Sequence, residues 1–185
     1  MWRRSNRRIA GFLKRFGRAQ DGVTAIEFAF VGGPFLYLLC VIFETGLMLF
    51  SEYVVENGVA EAARMIRTGQ VQAAGMSASD FKNIVCGQLT AYLDCSTKLH
   101  VDVRKFTAFA DINLPSSTNG QELSSDVTTN AQFQTGGPME VVVVRAYYEW
   151  KLFVPGLSQL SNLSGGRRLL SSGAVFRNEP FPSDT

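Results

Sequence analysis

A long apolar run near the N-terminus dominates the hydropathy pattern of the chain. Residues Phe28 to Phe43 hold no charged side chain, and with Glu44 as the only interruption the run continues to Phe50, a total of 23 residues. A helix of that length spans roughly 35 Å at about 1.5 Å per residue, enough to cross a bilayer. A buried core helix, the alternative, is seldom apolar on every face in so small a protein. The pattern therefore predicts a transmembrane helix.

The helical pattern continues beyond this run. Four apolar residues recur at helical spacing: Val55, Val59, Ala62 and Ile66. Gly69 is a natural stop signal. We expect one helix from Thr24 to Thr68, roughly 68 Å long, with a bend at Pro34. Its outer half is expected to pack the apolar stripe on an exported head rather than on lipid.

A second helix and three strands are predicted after the stop at Gly69. The helix has Ser79 as its cap and a set of apolar positions: Phe81, Ile84, Val85, Leu89, Tyr92 and Leu93. The first two strands, "KLHVDVRKF" and "MEVVVVRAYYEWKLF", alternate in polarity, and "RRLLSSGAVFRN" predicts a less regular third strand. Helices followed by antiparallel strands predict an α+β fold, with a three-stranded antiparallel sheet in the head.

Each alternating strand is expected to have one buried face and one solvated face. In the first strand the predicted buried residues are Leu99, Val101 and Val103, and the solvated ones are His100, Asp102 and Arg104. In the second strand the predicted buried residues are Val142, Val144, Ala146, Tyr148, Trp150 and Leu152. Between these strands, residues 111–138 are rich in Ser, Thr, Asn, Gln and Gly. That composition predicts a long surface loop or a partly ordered insertion.

The charges divide the chain unevenly. Residues 1–21 carry seven Arg or Lys against one Asp, while the remainder carries eleven bases against fifteen acids, a net charge of −4. The basic residues precede the apolar run, so the positive-inside rule keeps the N-terminus in the cytoplasm and exports the chain beyond Phe50. We therefore expect a basic leader at 1–22, a transmembrane helix and stalk at 23–69, and an exported α+β head at 70–185.

Two ordinary export signals fit the leader poorly. A secretory signal peptide has a shorter apolar run and a small-residue cleavage site directly after it. Here the run is too long, and the nearest such site, at residues 58–60, lies beyond Glu52 and Glu56. A twin-arginine signal also fails, because two extra residues separate Arg7-Arg8 from the spacing of that signal.

The three cysteines fall on both sides of the membrane boundary. Cys40 lies in the span, whereas Cys86 and Cys95 lie in the exported part, where an oxidising compartment lets thiols pair. The short loop between Cys86 and Cys95 predicts a disulfide, which requires the second helix to end near Leu93 and the chain to reverse. Two buried thiols are the alternative.

The stretch "QDGVTAIEFAF" places a glutamate at the start of the apolar run. A basic leader ending in Gly22, followed by Val23, Glu27 and Phe28, resembles the processing site of type IV pilin-like precursors, which prepilin peptidase cuts after the glycine. The resemblance implies that Val23 becomes the first residue of the mature chain. Glycine lets the backbone enter a narrow protease cleft, and the helix dipole favours a negative charge in the first helical turn.

A wider set of features resembles the TadE-like family, the minor pilins or pseudopilins of the tight-adherence (Flp) pilus. It comprises Gly22, "EFA" at 27–29, Pro34, Glu44, "AEAARMIRTG" and the ending "FRNEPF". The resemblance implies a role in adhesion or pilus assembly, with prepilin peptidase, other pilus subunits, assembly-platform proteins and membrane lipid as partners. It also implies that Glu27 meets the N-terminal amine of a neighbouring subunit. The other functional class left open is an uncleaved bitopic anchor or sensor with a periplasmic binding head.

Glu44 is the second candidate assembly residue, and its partner is not visible in its own helix. Either its side chain snorkels to the periplasmic interface or it contacts another subunit. The only histidine, His100, is expected on a solvated strand face, although a general base there stays open. The sequence offers no credible zinc set, P-loop, G-x-G-x-x-G or nucleophile elbow. We therefore expect no enzyme, no metal or other cofactor, no small-molecule substrate and no nucleic-acid partner.

Overall fold

The computed structural model describes residues 22–89, 93–154 and 156–182. The chain divides into two compact units, Met1–Ile42 and Phe43–Thr185. Most of the predicted basic leader, residues 1–21, lies outside the described residues, as does Tyr92 of the predicted second helix.

The predicted long helix is confirmed as α1, which runs over Val23–Arg67. It ends as expected, since Gly69 takes the left-handed conformation at φ 79° and its N–H donates to the Ile66 carbonyl at 3.0 Å. Glycine suits that conformation because a Cβ there would crowd the backbone. Pro34 lies inside α1, and the bend expected there stays a prediction.

The second unit contains the outer part of α1 and the remaining elements. The helices are α2 (Gln70–Ala73), α3 (Ala78–Gln88), α4 (Cys95–Lys98) and α5 (Ser125–Thr128), with short 3-10 turns at Phe109–Asp111 and Leu157–Leu160. The strands are β1 (Leu99–Phe106), β2 (Thr118–Asn119), β3 (Glu122–Leu123), β4 (Val141–Lys151) and β5 (Arg167–Arg177). The predicted α+β class is confirmed.

The main sheet is antiparallel with the strand order β1-β4-β5. One residue pair gives the register on each side of β4. Leu99 of β1 lies opposite Tyr148, and Ala174 of β5 lies opposite Val144. Successive side chains alternate across a strand, and the apolar faces predicted for β1 and β4 lie in or against the main core. A second pair of strands, β2 and β3, forms a separate small hairpin.

The main core lies between this sheet and the helices. The predicted stripe of α1 is fully buried there, with Val55, Val59, Ala62 and Ile66 all in the core cluster. Gly58 lets α3 approach α1 closely, because a Cβ at this position would lie 3.2 Å from the Val85 carbonyl oxygen. The prediction that the stripe packs on the head rather than on lipid is thus confirmed.

The predicted limits of the second helix were wrong at both ends. Its cap is Ser77, not Ser79, since the Ser77 hydroxyl accepts from the Asp80 N–H and the Asp80 carboxylate accepts from the Ser77 N–H. This reciprocal capping box satisfies two free helix donors and so sets the first turn. The helix ends at Gln88, and Leu89 is already extended. Leu93 is buried, but in the core outside the helix.

The predicted solvated face of β1 was also wrong. Asp102 is only 1% exposed, because the polar segment 111–138 covers that side of the sheet. Residues 132–134 follow the edge of β1, with the Val103 N–H donating to the Gln132 carbonyl at 2.8 Å and the Gln134 N–H donating to the Val103 carbonyl at 2.9 Å. The segment therefore protects an edge that would otherwise offer unpaired backbone groups.

Asp102 is the centre of a buried charge cluster on that covered face. Its carboxylate accepts from Arg145 Nη2 at 2.6 Å, from Arg104 Nε at 2.9 Å and from the Gln132 N–H at 2.9 Å. Burial alone would raise the pKa of Asp102, but the Gln132 amide and the two guanidinium groups outweigh it and hold the pKa below its ordinary value. Arg145 also donates to the Pro115 carbonyl at 3.1 Å, which ties the polar segment to the sheet.

The C-terminal tail returns to the end of α1. The Glu179 N–H donates to the Arg67 carbonyl at 2.9 Å, and the two side chains pair at 3.4 Å. Asn178 is buried, and its amide donates to the carbonyls of Thr135 and Gly137 at 3.0 and 2.9 Å. The ending "FRNEPF" therefore fastens the end of α1 to the polar segment.

Candidate functional site

The predicted cleavage site lies at the very start of α1. The Gly22 carbonyl accepts from the Ile26 N–H at 3.0 Å, so the first helical hydrogen bond begins at this glycine. A Cβ built on Gly22 would meet no atom of the described residues within 4 Å, and its φ is not in the left-handed region. The described part of the fold therefore places no demand for glycine at this position.

Glu27 lies one turn further along the helix and is exposed. Its carboxylate has no hydrogen-bond or ion-pair partner among the residues that the structure describes. A carboxylate beside long apolar side chains is costly in hydrocarbon unless a partner approaches. The position thus leaves a negative charge available to something outside the described chain.

The surroundings of Glu27 are apolar and uncovered. None of residues 22–42 is buried, and the most exposed large side chains include Phe28, Phe30, Val31 and Leu36. The helix is long and apolar enough to cross a membrane, by length and composition. Such an exposed apolar surface requires lipid or other protein around it.

Glu44 is in the opposite situation, because it is buried at 3% exposure inside the second unit. Its carboxylate accepts a hydrogen bond from the backbone N–H of Phe153 and a second one, 2.8 Å long, from the N–H of Val154. Bonds from backbone amides to an ionised carboxylate are among the stronger hydrogen bonds in proteins. Glu44 therefore holds the loop that follows β4 against α1.

Sequence reasoning identified Glu44 as unusual but missed these partners. The signal available was a carboxylate in an apolar run, which needs a compensating group. Backbone amides can be supplied by any residue except proline, so no residue type in the sequence could point to 153–154. The candidate assembly residues Glu27 and Glu44 therefore differ in the structure, one exposed and one enclosed.

The structure brings Cys86 and Cys95 together as a disulfide, with their Cα atoms 5.8 Å apart. That spacing lies within the ordinary range for such bonds. Cys86 lies in the last turn of α3 and Cys95 begins α4, so the bond joins the end of one helix to the start of the next. Cys40 is a free, exposed thiol.

Candidate groups for catalysis are already engaged elsewhere. His100 Nε2 lies 3.3 Å from Glu149 Oε1, and Glu149 is also paired with Arg167. Among the residues that the structure describes, no group of three or more His, Cys, Asp or Glu side chains is placed to hold a metal ion. These contacts place His100 of β1 in a hydrogen-bonded cluster with Glu149 and Arg167.

Comparison with known proteins identifies the N-terminal part of the chain. Residues 22–64 match the family model described as TadE-like protein, which confirms the resemblance predicted from the sequence. No curated protein and no solved structure matches the chain. The matched segment includes Gly22, Glu27 and Glu44 and stops before the sheet begins.

Proposed function

We propose that this chain, which is TadE-like over residues 22–64, is a pseudopilin or minor pilin of a tight-adherence pilus. The family match supports an association with a Tad pilus in general. The finer proposal depends on one observation: Glu27 is an exposed carboxylate without a partner among the described residues, on a stretch of apolar helix that those residues leave uncovered. A helix serving only as an anchor would be more stable in lipid with Leu at this position.

Processing by prepilin peptidase is the first step of the proposal. Cleavage between Gly22 and Val23 removes the basic leader and leaves residues 23–69 as membrane helix and stalk beneath the head at 70–185. The freedom around Gly22 supports this step, because a glycine that packing against the described residues does not require has another reason to be there. A protease cleft that admits only a bare backbone supplies such a reason.

Assembly through Glu27 is the second step. Cleavage creates an α-amino group at Val23, and in the assembled fibre Glu27 of one subunit accepts the amine of its neighbour. Opposite charges attract strongly where water is scarce, so this pair selects the register of neighbouring helices. The exposed phenylalanines around it, Phe28 and Phe30, then pack against other subunits in place of lipid.

Glu44 has an indirect part in the same assembly. Its carboxylate is occupied by the amides of Phe153 and Val154, so it does not offer a free charge to another subunit. We assign it to holding the loop after β4 against the helix, which fixes how the subunit presents its head. The partner of Glu44 in this proposal is its own chain.

The proposed location is the inner membrane, with a cytoplasmic N-terminus, a single transmembrane helix and a periplasmic head. From there the chain enters the pilus or promotes its assembly together with other Tad subunits and assembly-platform proteins. The pilus serves surface adhesion and biofilm formation, and the chain itself performs no catalysis.

Mass spectrometry of the chain extracted from membranes tests the processing step. In cells with an active prepilin peptidase, the mature form should begin at Val23 and lack the first 22 residues. Gly22→Ala should slow the cut, whereas Gly33→Ala, another site where a Cβ meets open space, should be cut normally. An intact N-terminus in those cells would favour an uncleaved bitopic anchor or sensor.

A second experiment tests the assembly step with Glu27→Ala expressed as the only copy. This variant should be cut and inserted normally, yet lose co-purification with the other pilus proteins and produce no surface fibres. Glu56→Ala, which removes an exposed glutamate from the outer part of the same helix, is the matched control and should assemble. Normal piliation by Glu27→Ala would contradict the assembly role.

A further inference from the structure

The loop after β4 is held at the depth of the apolar run. Glu44 precedes Phe50, where the run ends, by six residues, which corresponds to about 9 Å along the helix axis. Because the amides of Phe153 and Val154 bond to Glu44, this loop lies level with the outer end of the membrane-spanning stretch. Phe153 is nevertheless 67% exposed, so its ring adds to the apolar surface at this end of the helix.

A cavity of about 340 Å³ opens beside this loop, entirely within the second unit. Its apolar wall includes Leu47 of α1 and Phe153, and its polar wall includes Lys98 and Lys151. The cavity is also lined by an aromatic pair. The Phe153 ring lies edge-on to the Trp150 ring, with centroids 5.7 Å apart. Lysine and aromatic residues next to apolar side chains are typical of a membrane–water interface.

Trp150 forms the inner wall of the cavity. It lines the cavity and is only 5% exposed, and its indole N–H lies beneath the surface, out of reach from the cavity. The ring therefore contributes an aromatic surface to the site, as is typical of tryptophan near a membrane–water interface.

We propose that this cavity binds the headgroup of an anionic phospholipid from the outer leaflet of the inner membrane. The phosphate lies between Lys98 and Lys151, and the Trp150 ring forms the inner wall of the site. The acyl chains pass along Leu47 and Phe153 and join the lipid around α1. The acidic wall residue, Glu149, does not oppose this charge, because it is paired with Arg167.

The bound lipid would hold the head against the membrane before assembly. This inference depends on the membrane anchoring in the proposed function, but it needs neither cleavage nor a pilus. It can therefore be tested with the uncleaved full chain in lipid nanodiscs.

Fluorescence quenching gives a direct test, because the chain has only two tryptophans. In a Trp2→Phe background Trp150 is the only indole. Phosphatidylglycerol brominated close to its glycerol end, added to phosphatidylcholine nanodiscs, should quench Trp150 more strongly than the same amount of brominated phosphatidylcholine. Each of Lys98→Gln and Lys151→Gln should weaken the apparent affinity for phosphatidylglycerol about fivefold, the ratio for roughly 1 kcal/mol per basic residue at a membrane surface.

The matched control is Lys105→Gln, at the other end of β1, where Lys105 pairs with Val142 in the sheet register and its ammonium lies 3.4 Å from Glu140. It should leave the quenching unchanged. Equal quenching by the two lipids, or equal loss in the control, would overturn the inference while leaving the proposed function intact. A chain that does not float with lipid at all would instead remove the membrane anchor, on which both proposals depend.

Discussion

The ring of Phe181 lies directly over Gly69, with its Cγ 2.5 Å and its Cδ1 2.7 Å from the place that a Cβ on Gly69 would occupy. This contact joins the end of α1 to the C-terminal tail, 112 residues later in the chain. Gly69 also has φ 79°. The glycine is thus required twice, once by the backbone and once by the tail.

Gly69→Ala is therefore expected to destabilise the chain more than a glycine substitution that only introduces backbone strain. The matched control is Gly75→Ala, because Gly75 also has a positive φ of 58° but meets nothing within 4 Å. The control should lose roughly 1 to 2 kcal/mol of unfolding free energy, and Gly69→Ala roughly a further 1 to 3 kcal/mol from overpacking. Hydrogen exchange should show the tail after Arg177 released only in Gly69→Ala. Equal exchange in both variants would show that Phe181 simply moves aside.

Glu44→Leu should loosen the loop after β4. The substitution leaves the amides of Phe153 and Val154 without their acceptor, which costs about 1 to 3 kcal/mol for each buried donor. We expect faster hydrogen exchange and earlier proteolysis within residues 152–160 of the detergent-solubilised chain. Glu56→Leu is the control, since Glu56 is exposed on the same helix. Unchanged protection of the loop in Glu44→Leu would mean that the two amide bonds contribute nothing to its position.

The Cys86–Cys95 bond should form in cells as it does in the structure. Alkylation without reductant should label only Cys40, the one free cysteine of the structure's described residues, and reduction should release two more thiols. Replacing both partners with Ser should lower the free energy of unfolding by slightly less than ~3 kcal/mol, because the closed loop is shorter than the 15 residues to which that value applies. Cys40→Ser should have no such effect. Two thiols that react before reduction in addition to Cys40 would refute the pairing.

Acid should weaken the covered face of the sheet through Asp102. The pKa of Asp102 lies below its ordinary value in the folded chain. The stabilising effect of its carboxylate is therefore complete above about pH 3.9, the pKa of an aspartate in the unfolded chain. That effect is lost as the pH falls through the pKa of the folded state. Asp102→Asn removes this dependence and leaves Arg104 and Arg145 uncompensated, at a cost of about 3 to 5 kcal/mol at neutral pH.

Thermal unfolding midpoints of the full chain at neutral and acid pH measure this effect. The wild type should lose more stability on acidification than Asp102→Asn, whereas the exposed Asp111→Asn should follow the wild type. Parallel losses in all three chains would show that other groups control the acid response.

The sequence alone determined the features that repeat along the chain. The apolar run and the stripe at Val55, Val59 and Ile66 predicted α1, because helical periodicity is a local property that burial preserves. Alternation in the same way predicted the core faces of β1 and β4. The resemblance around Gly22 and Glu27 needed no tertiary information, since a family pattern is read along the chain.

Only the tertiary structure decided which segments cover which surfaces. Alternation cannot reveal that residues 132–134 lie on the edge of β1, so Asp102 was expected in water and is instead buried between two arginines. The partners of Glu44 are backbone amides, which any sequence except proline supplies, and Phe181 over Gly69 joins residues too distant for any local pattern. Contacts of this kind arise from the path of the chain through space rather than from residue type, and for that reason they appear only once the fold is known.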